Sequence, residues 1–124
     1  MSAPATTDQL LRFFFRVDGR IGREEYALGI TVIYSLNFSI LIYLIRTETM
    51  TPLIAVLLVL VDLAILVGLA VLMAKRCHDL GLPGLYFLLI LVPLIGLFWP
   101  FALACLPGNQ GDNAYGPSPA IEPE

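Results

Sequence analysis

Charged residues are scarce in this chain. They make up 14% of its 124 residues, whereas a soluble domain is about one quarter charged. Hydrophobic residues supply 58% of the sequence, so the composition indicates a membrane protein. The seven lysine and arginine residues do not form the clustered, accessible basic face that nucleic-acid binding requires, and we expect no nucleic-acid partner.

Cysteine and histidine are also few. The two cysteines, Cys77 and Cys105, form no CxxC pair, which leaves neither a disulfide framework nor a zinc signature. His78 is the only histidine. A metal site needs at least three converging ligands, so we expect no metal and no cofactor. The length allows one small domain, which we place at residues 10–119.

Three long apolar runs dominate what is present. Residues 27–45 contain no charge, residues 52–74 contain only Asp62, and residues 85–106 contain no charge. About 20 apolar residues cross a bilayer as a helix. The first run is too long for a secretory signal and lacks a cleavage site. We therefore predict an all-α integral membrane protein with three transmembrane helices.

The third run has an alternative structure, because Pro93, Gly96 and Pro100 interrupt it. Pro93 could kink a single span, or the chain could turn at residues 93–96 as a re-entrant hairpin. Each arm of a hairpin would have about 10 residues and measure roughly 15 Å, which is too short to cross a core of roughly 30 Å. We predict the kinked span.

Shorter segments flank these runs. Arg12 and Arg16 lie four residues apart among leucine and phenylalanine, which predicts a short interfacial helix at residues 10–17; the alternative is a helical turn packed on the bundle. Residues 1–9 and 120–124 are expected to be disordered. Residues 107–119 are rich in turn formers. They are expected to bind a partner through exposed backbone, to form a rigid cap over the outer face, or to be disordered.

The basic residues predict the topology, since short cytoplasmic flanks carry an excess of them. With three spans, six of the seven basic residues flank one side, in residues 12–23 and 75–76, and Arg46 alone flanks the other. This count places the N-terminus and the loop at residues 75–84 in the cytoplasm. The C-terminal tail is then expected outside.

Three motifs stand in order along the chain. They are Gly19–Tyr26 before the first run, Arg76–Asp79 with Gly81 and Gly84 before the third, and Pro107–Pro119 after it. This order resembles domain-of-unknown-function family 805, small bacterial inner-membrane proteins, over residues 13–119. Val17, Ala27 and Leu85–Tyr86 depart from the aromatic residues usual in that family. The resemblance implies a multi-pass protein of the bacterial inner (plasma) membrane and brings no established activity. Its tail motif comprises Gly108, Gly111, Asn113, Tyr115, Gly116 and Pro117.

The polar residues around the central loop suggest a structural clasp rather than catalysis. Cys77, His78 and Asp79 are consecutive, so on a helix they point about 100° apart and cannot act in series as a catalytic triad. A hard-ligand metal site built from acids and His78 is the weaker alternative. We predict instead that Asp79 pairs with Arg20 or Arg23, that Glu24 or Glu25 pairs with Lys75 or Arg76, and that His78 joins by hydrogen bonding.

Asp62 is the unusual residue inside the second run. A central aspartate costs about 2.5–3.5 kcal/mol on insertion scales, so it should face a partner. Asn37 lies at a similar depth in the first run, and an Asn37–Asp62 hydrogen bond would contribute about 1 kcal/mol. The alternative is a proton or cation site, the usual first hypothesis for an intramembrane carboxyl group.

The sequence favours a non-enzymatic membrane interaction or scaffold component. The alternative is a small oligomeric transporter or channel that uses Asp62. The expected partners are the lipid bilayer and either further copies of the chain or another membrane protein.

Overall fold

The computed structural model describes residues 6–119, and the predicted disorder of residues 1–5 and 120–124 lies outside this range. The chain forms α1 (Thr7–Phe15), α2 (Arg23–Arg46), α3 (Pro52–Asp79), a 3₁₀ helix (Gly84–Leu91) and α4 (Ile95–Cys105). The all-helical prediction is confirmed. In the described range, two helices, α2 and α3, are long and apolar enough to cross a membrane.

Local chemistry explains where these helices begin. Thr6 and Gln9 form a capping box at α1, each side chain bonding the other's backbone N–H, which satisfies otherwise free amides. The helix therefore starts within the segment expected to be disordered. Thr51 caps α3 by accepting from the Ile54 N–H at 3.3 Å, and Pro52 occupies a first-turn position that does not need an N–H.

The central polar stretch is helical rather than a loop. The predicted span ended at residue 74, but α3 continues to Asp79, and only Leu80–Pro83 connects it to the 3₁₀ helix. Lys75, Arg76, His78 and Asp79 therefore lie on the last turns of α3, where all four are buried. Helical spacing brings Arg76 and Asp79 (three residues apart) to the same face.

The prediction that residues 85–106 form one kinked span is wrong. The run divides into the 3₁₀ helix and α4, with a turn at residues 92–94 in which Leu94 has φ 66°. The two segments then pack against each other and against α3. Gly96 makes this turn possible, because a Cβ there would overlap the backbone carbonyl of Ile90. The run therefore forms the hairpin, which was the rejected alternative because its arms are too short to cross the membrane.

The tail returns to the end of the bundle from which α2 starts. The Asn109 N–H donates to the Asp79 carbonyl at 2.7 Å, and Asn113 and Gly116 bridge each other. The prediction that the tail lies at the opposite end from Arg20 is therefore wrong, and so is the alternative of disorder for residues 107–119.

The buried core lies at this same end. It includes Tyr26 and Ile30 of α2, Leu72 and Met73 of α3, and Leu103 of α4. Tyr26 donates its hydroxyl to the Pro100 carbonyl at 2.9 Å, which fixes α4 against α2. The remaining halves of α2 and α3 expose large apolar side chains along their length, as expected for helices surrounded by lipid.

Candidate functional site: a buried arginine–aspartate clasp

Asp79 lies between two buried guanidinium groups. Arg20, from the segment before α2, approaches its Oδ1 with Nε at 3.0 Å and Nη2 at 2.9 Å. Arg76 donates from Nη1 to Oδ2. The side chains of both arginines are 1% exposed and that of Asp79 is 5% exposed. We call Arg20, Arg76 and Asp79 the clasp.

Backbone carbonyls of the tail accept the remaining donors of Arg20. Arg20 donates to the carbonyls of Asn109, Gly111 and Gly116 at 2.8, 2.8 and 3.2 Å. Buried ions are tolerated only when further hydrogen bonds offset the loss of water, and the tail supplies them. Gly108 is needed at this contact, since a Cβ there would overlap the Asp79 carboxylate. Folding of the tail and burial of Arg20 are therefore coupled.

Arg76 joins two further segments to α3. Its Nε donates to the Leu103 carbonyl at 2.8 Å and its Nη1 to the Ile21 carbonyl at 3.3 Å. Its Nη2 donates to the Leu106 carbonyl. One buried arginine thus joins α3 to the segment before α2 and to the end of α4.

Lys75 and His78 hold neighbouring segments. The Lys75 ammonium donates to the carbonyls of Arg12 and Phe13 near the end of α1, where a cation complements the helix dipole. The His78 ring stacks on Tyr115 at 4.1 Å between centroids, and its Nδ1 lies 3.0 Å from the Gly19 carbonyl. Asn113 donates to the His78 carbonyl at 2.9 Å, so the tail contacts α3 beyond the clasp.

The other predicted clasp residues lie apart from these. Arg23, Glu24 and Glu25 are exposed on the first turn of α2, and they form no salt bridge within residues 6–119. The proposed pairing of Glu24 or Glu25 with Lys75 or Arg76 is wrong, because backbone carbonyls and Asp79 already accept from those cations. The described part of the chain also contains no group of three His, Cys, Asp or Glu residues able to hold a metal.

The sequence that forms these contacts matches a known family. A family model described as "Protein of unknown function (DUF805)" matches residues 14–117. The chain belongs to this family. The matched range includes the whole clasp and the tail residues that contact it.

Two curated relatives of this DUF805 chain are called "Inner membrane protein YhaH", from Escherichia coli strain K12 and from Escherichia coli O157:H7. Each is 37% identical over 49 residues, which is 40% of this chain and 40% of the relative. The match therefore spans well under half the length of these relatives. No solved structure matches the chain. Family, relatives and apolar helices together support a location in a bacterial inner membrane.

The intramembrane polar pair of this DUF805 chain lies on α2 and α3, away from the clasp. The Asn37 amide donates to the Asp62 carboxylate at 2.9 Å, and both residues are partly buried. Ser39 on α2 donates to the Ser35 carbonyl of its own helix. Asp62 thus contacts a neighbour in the same helical hairpin, which is the arrangement of a helix-joining polar pair.

The sequence did not reveal the carbonyl acceptors of the clasp, and it predicted α1 at residues 10–17, whereas the helix is Thr7–Phe15. The sequence carries no signal for these acceptors, because the burial of Arg20 and Arg76 around one carboxylate is visible only in the structure. The exposed pair of Arg16 and Asp18 lies nearby, at 2.6 Å. The hydrogen bond from Arg16 lowers the pKa of the Asp18 carboxyl group below its usual value. Phe13 and Phe14 of α1 pack on the core, whereas Leu10 and Leu11 are exposed.

Proposed function

We propose that this chain is a non-enzymatic interaction or scaffold component of the bacterial inner membrane. The observation that carries the proposal is the folded tail: residues 107–119 are held on the clasp and present a shaped surface at one end of the bundle. Arg20 contributes three hydrogen bonds to tail carbonyls, so the tail is fixed rather than free. A fixed surface reduces the entropy lost when a partner binds.

We infer that α2 and α3 are the only two complete crossings within residues 6–119 and that residues 84–105 form a re-entrant hairpin. Non-helical backbone at membrane depth is tolerated when protein covers it, and the hairpin packs on α3 and α2. Both the N-terminal segment and the tail then lie on the side that carries six of the seven basic residues. By the positive-inside rule that side is the cytoplasm.

A reporter fusion tests this topology. Green fluorescent protein joined after Glu124 should fluoresce in intact cells, and alkaline phosphatase at the same position should be inactive, because the tail is cytoplasmic. The same reporters joined after Glu48, between α2 and α3, should give the opposite pattern. An active phosphatase after Glu124 would restore the three-span topology.

Photocrosslinking in native membranes tests the scaffold proposal. A crosslinkable amino acid at exposed Ala114 of the tail should yield one defined larger adduct, either with a second copy or with another membrane protein. The same group at exposed Glu48, at the other end of α2, is the matched control and should not yield it. Absence of an adduct at Ala114 would contradict the proposal.

The rival function is a transporter or channel that uses Asp62. Asp62→Asn keeps the size of the side chain and a hydrogen-bonding partner for Asn37 but removes the titratable group. We expect this variant to fold and to leave the Ala114 adduct unchanged. If it instead abolishes a membrane-potential or pH phenotype in a folded protein, Asp62 acts in transport and the scaffold proposal is wrong.

A further inference from the structure

A cleft of about 730 Å³ opens beside the clasp. One wall is the first turn of α2, with Arg23, Glu24 and Glu25, and the other is the tail at residues 107–111. Arg76 and Asp79 line it from below. The cleft lies at the end of the apolar part of α2, which is the level of membrane headgroups for a spanning helix.

The charge at the base of this cleft is not balanced. Arg20 and Arg76 bring two positive charges to one carboxylate, and all three side chains are at most 5% exposed. Arg76 has five N–H donors, and the acceptors found for it within residues 6–119 account for four: Leu103, Ile21, Asp79 and Leu106. A donor on Nη2 of this buried, cleft-lining guanidinium is left for another acceptor. The excess positive charge and the remaining N–H donor together favour an anionic ligand in the cleft.

The rim supplies charges of both signs. Arg23 is exposed and forms no salt bridge in the described range, so its guanidinium is available for the same anion. Glu24 and Glu25 are likewise exposed and form no salt bridge there. A simple anion would be repelled by these two carboxylates. A ligand that also carries an ammonium group would be bound by them.

We propose that this cleft binds a phosphate that carries a primary ammonium group a few bonds away, as in phosphoethanolamine. Arg76 and Arg23 accommodate the phosphate oxygens, because guanidinium groups match phosphate geometry. Glu24 and Glu25 bind the ammonium group. The source is either a phospholipid headgroup or a free molecule of the same chemistry. This binding is independent of the scaffold function, because it requires no protein partner.

Native mass spectrometry of the full chain in detergent tests the site. The protein is mixed with phosphatidylethanolamine, phosphatidylglycerol or phosphatidylcholine of identical acyl chains. We expect roughly fivefold greater retention of phosphatidylethanolamine, as one or two half-exposed charge pairs can provide. Phosphatidylglycerol lacks the ammonium group, and the methylated ammonium of phosphatidylcholine cannot donate hydrogen bonds. Equal retention of all three lipids would overturn the proposal.

Variants at the rim of the cleft test the phosphate contact and the ammonium contact separately. Arg23→Gln should reduce retention of phosphatidylethanolamine roughly fivefold. Arg23→Lys keeps the positive charge and should reduce retention less. Glu24→Gln with Glu25→Gln should remove the preference over phosphatidylglycerol. Arg46→Gln and Glu48→Gln, at the other end of α2, are matched controls that should change nothing. Wild-type retention by Arg23→Gln would also overturn the proposal.

Free phosphoethanolamine identifies the source of the ligand. If it displaces the bound lipid from the wild-type protein, the cleft recognises the headgroup alone and a soluble ligand is supported. If the lipid stays bound while the rim variants still lose it, the acyl chains contribute and a membrane lipid is the ligand.

Discussion

Asp79→Asn should destabilise the protein by about 3–5 kcal/mol, the cost of breaking a buried ion pair and leaving its partner charge uncompensated. Two buried guanidinium groups lose their shared carboxylate in this variant. Asn retains the size of Asp but has one oxygen acceptor in place of two charged ones, so Arg20 and Arg76 cannot both be satisfied. The tail should detach together with Arg20, because the Arg20 guanidinium binds both Asp79 and the tail carbonyls.

Thermal unfolding in detergent measures this effect. Cys77 is buried and Cys105 is exposed, so in a Cys105→Ser background a thiol-reactive dye reports unfolding through Cys77 alone. We expect a clearly lower midpoint for Asp79→Asn. Asp18→Asn is the control: it removes the exposed pair with Arg16, and solvent-exposed ion pairs contribute little to stability. If the two variants unfolded at the same temperature, the clasp would not stabilise the fold.

Arg23→Gln tests whether the stabilising partner of Asp79 is Arg20 rather than Arg23. The sequence does not distinguish Arg20 from Arg23 as a partner of Asp79. Of these two arginines, only Arg20 pairs with Asp79 in the structure. Arg23 is exposed on the first turn of α2 and lines the cleft, but it forms no salt bridge with Asp79. Arg23→Gln should therefore leave the unfolding midpoint unchanged while it alters the cleft.

The parts of the fold that follow from local rules could be predicted from the sequence. Residues 27–45 and 52–74 are uninterrupted and joined by a short connection, so counting residues from that connection gives the depth of each side chain. This counting was enough to match Asn37 with Asp62, and the two side chains lie 2.9 Å apart. The same runs identify α2 and α3 as helices long and apolar enough to cross a membrane, although both helices extend beyond the runs.

Hydropathy could not predict the third run, because it measures length and apolarity and not the path of the chain. An arm of about 10 residues is too short to cross, but a hairpin covered by α2 and α3 has no need to cross. The decisive fact is the contact of Gly96 with the Ile90 backbone, which exists only after the hairpin has formed. Because the third run was predicted to cross the membrane, the tail was placed at the opposite end of the bundle from Arg20. Its contacts with Arg20 could therefore not be predicted.

Gly96→Ala distinguishes the two structures of this run by the sign of its effect. In a continuous helix, replacing an interior glycine with alanine stabilises by up to about 1 kcal/mol. In the hairpin, the new Cβ overlaps the Ile90 carbonyl group, and backbone atoms cannot rotate away as a side chain would. Overpacking of this kind costs about 1–3 kcal/mol and sometimes more. We expect a loss at the upper end of that range.

The same Cys77 assay measures the change, and Gly68→Ala is the matched control. Gly68 is a buried glycine inside α3, and a Cβ there would meet its nearest neighbour, Phe14, at 3.7 Å, an ordinary contact. This variant should be neutral or slightly more stable. If Gly96→Ala also raised the midpoint, residues 85–106 would be a continuous helix. A lowered midpoint for Gly96→Ala alone supports the hairpin, because opening it would separate α4 from Tyr26 and from Arg76, which donate to the carbonyls of Pro100 and Leu103.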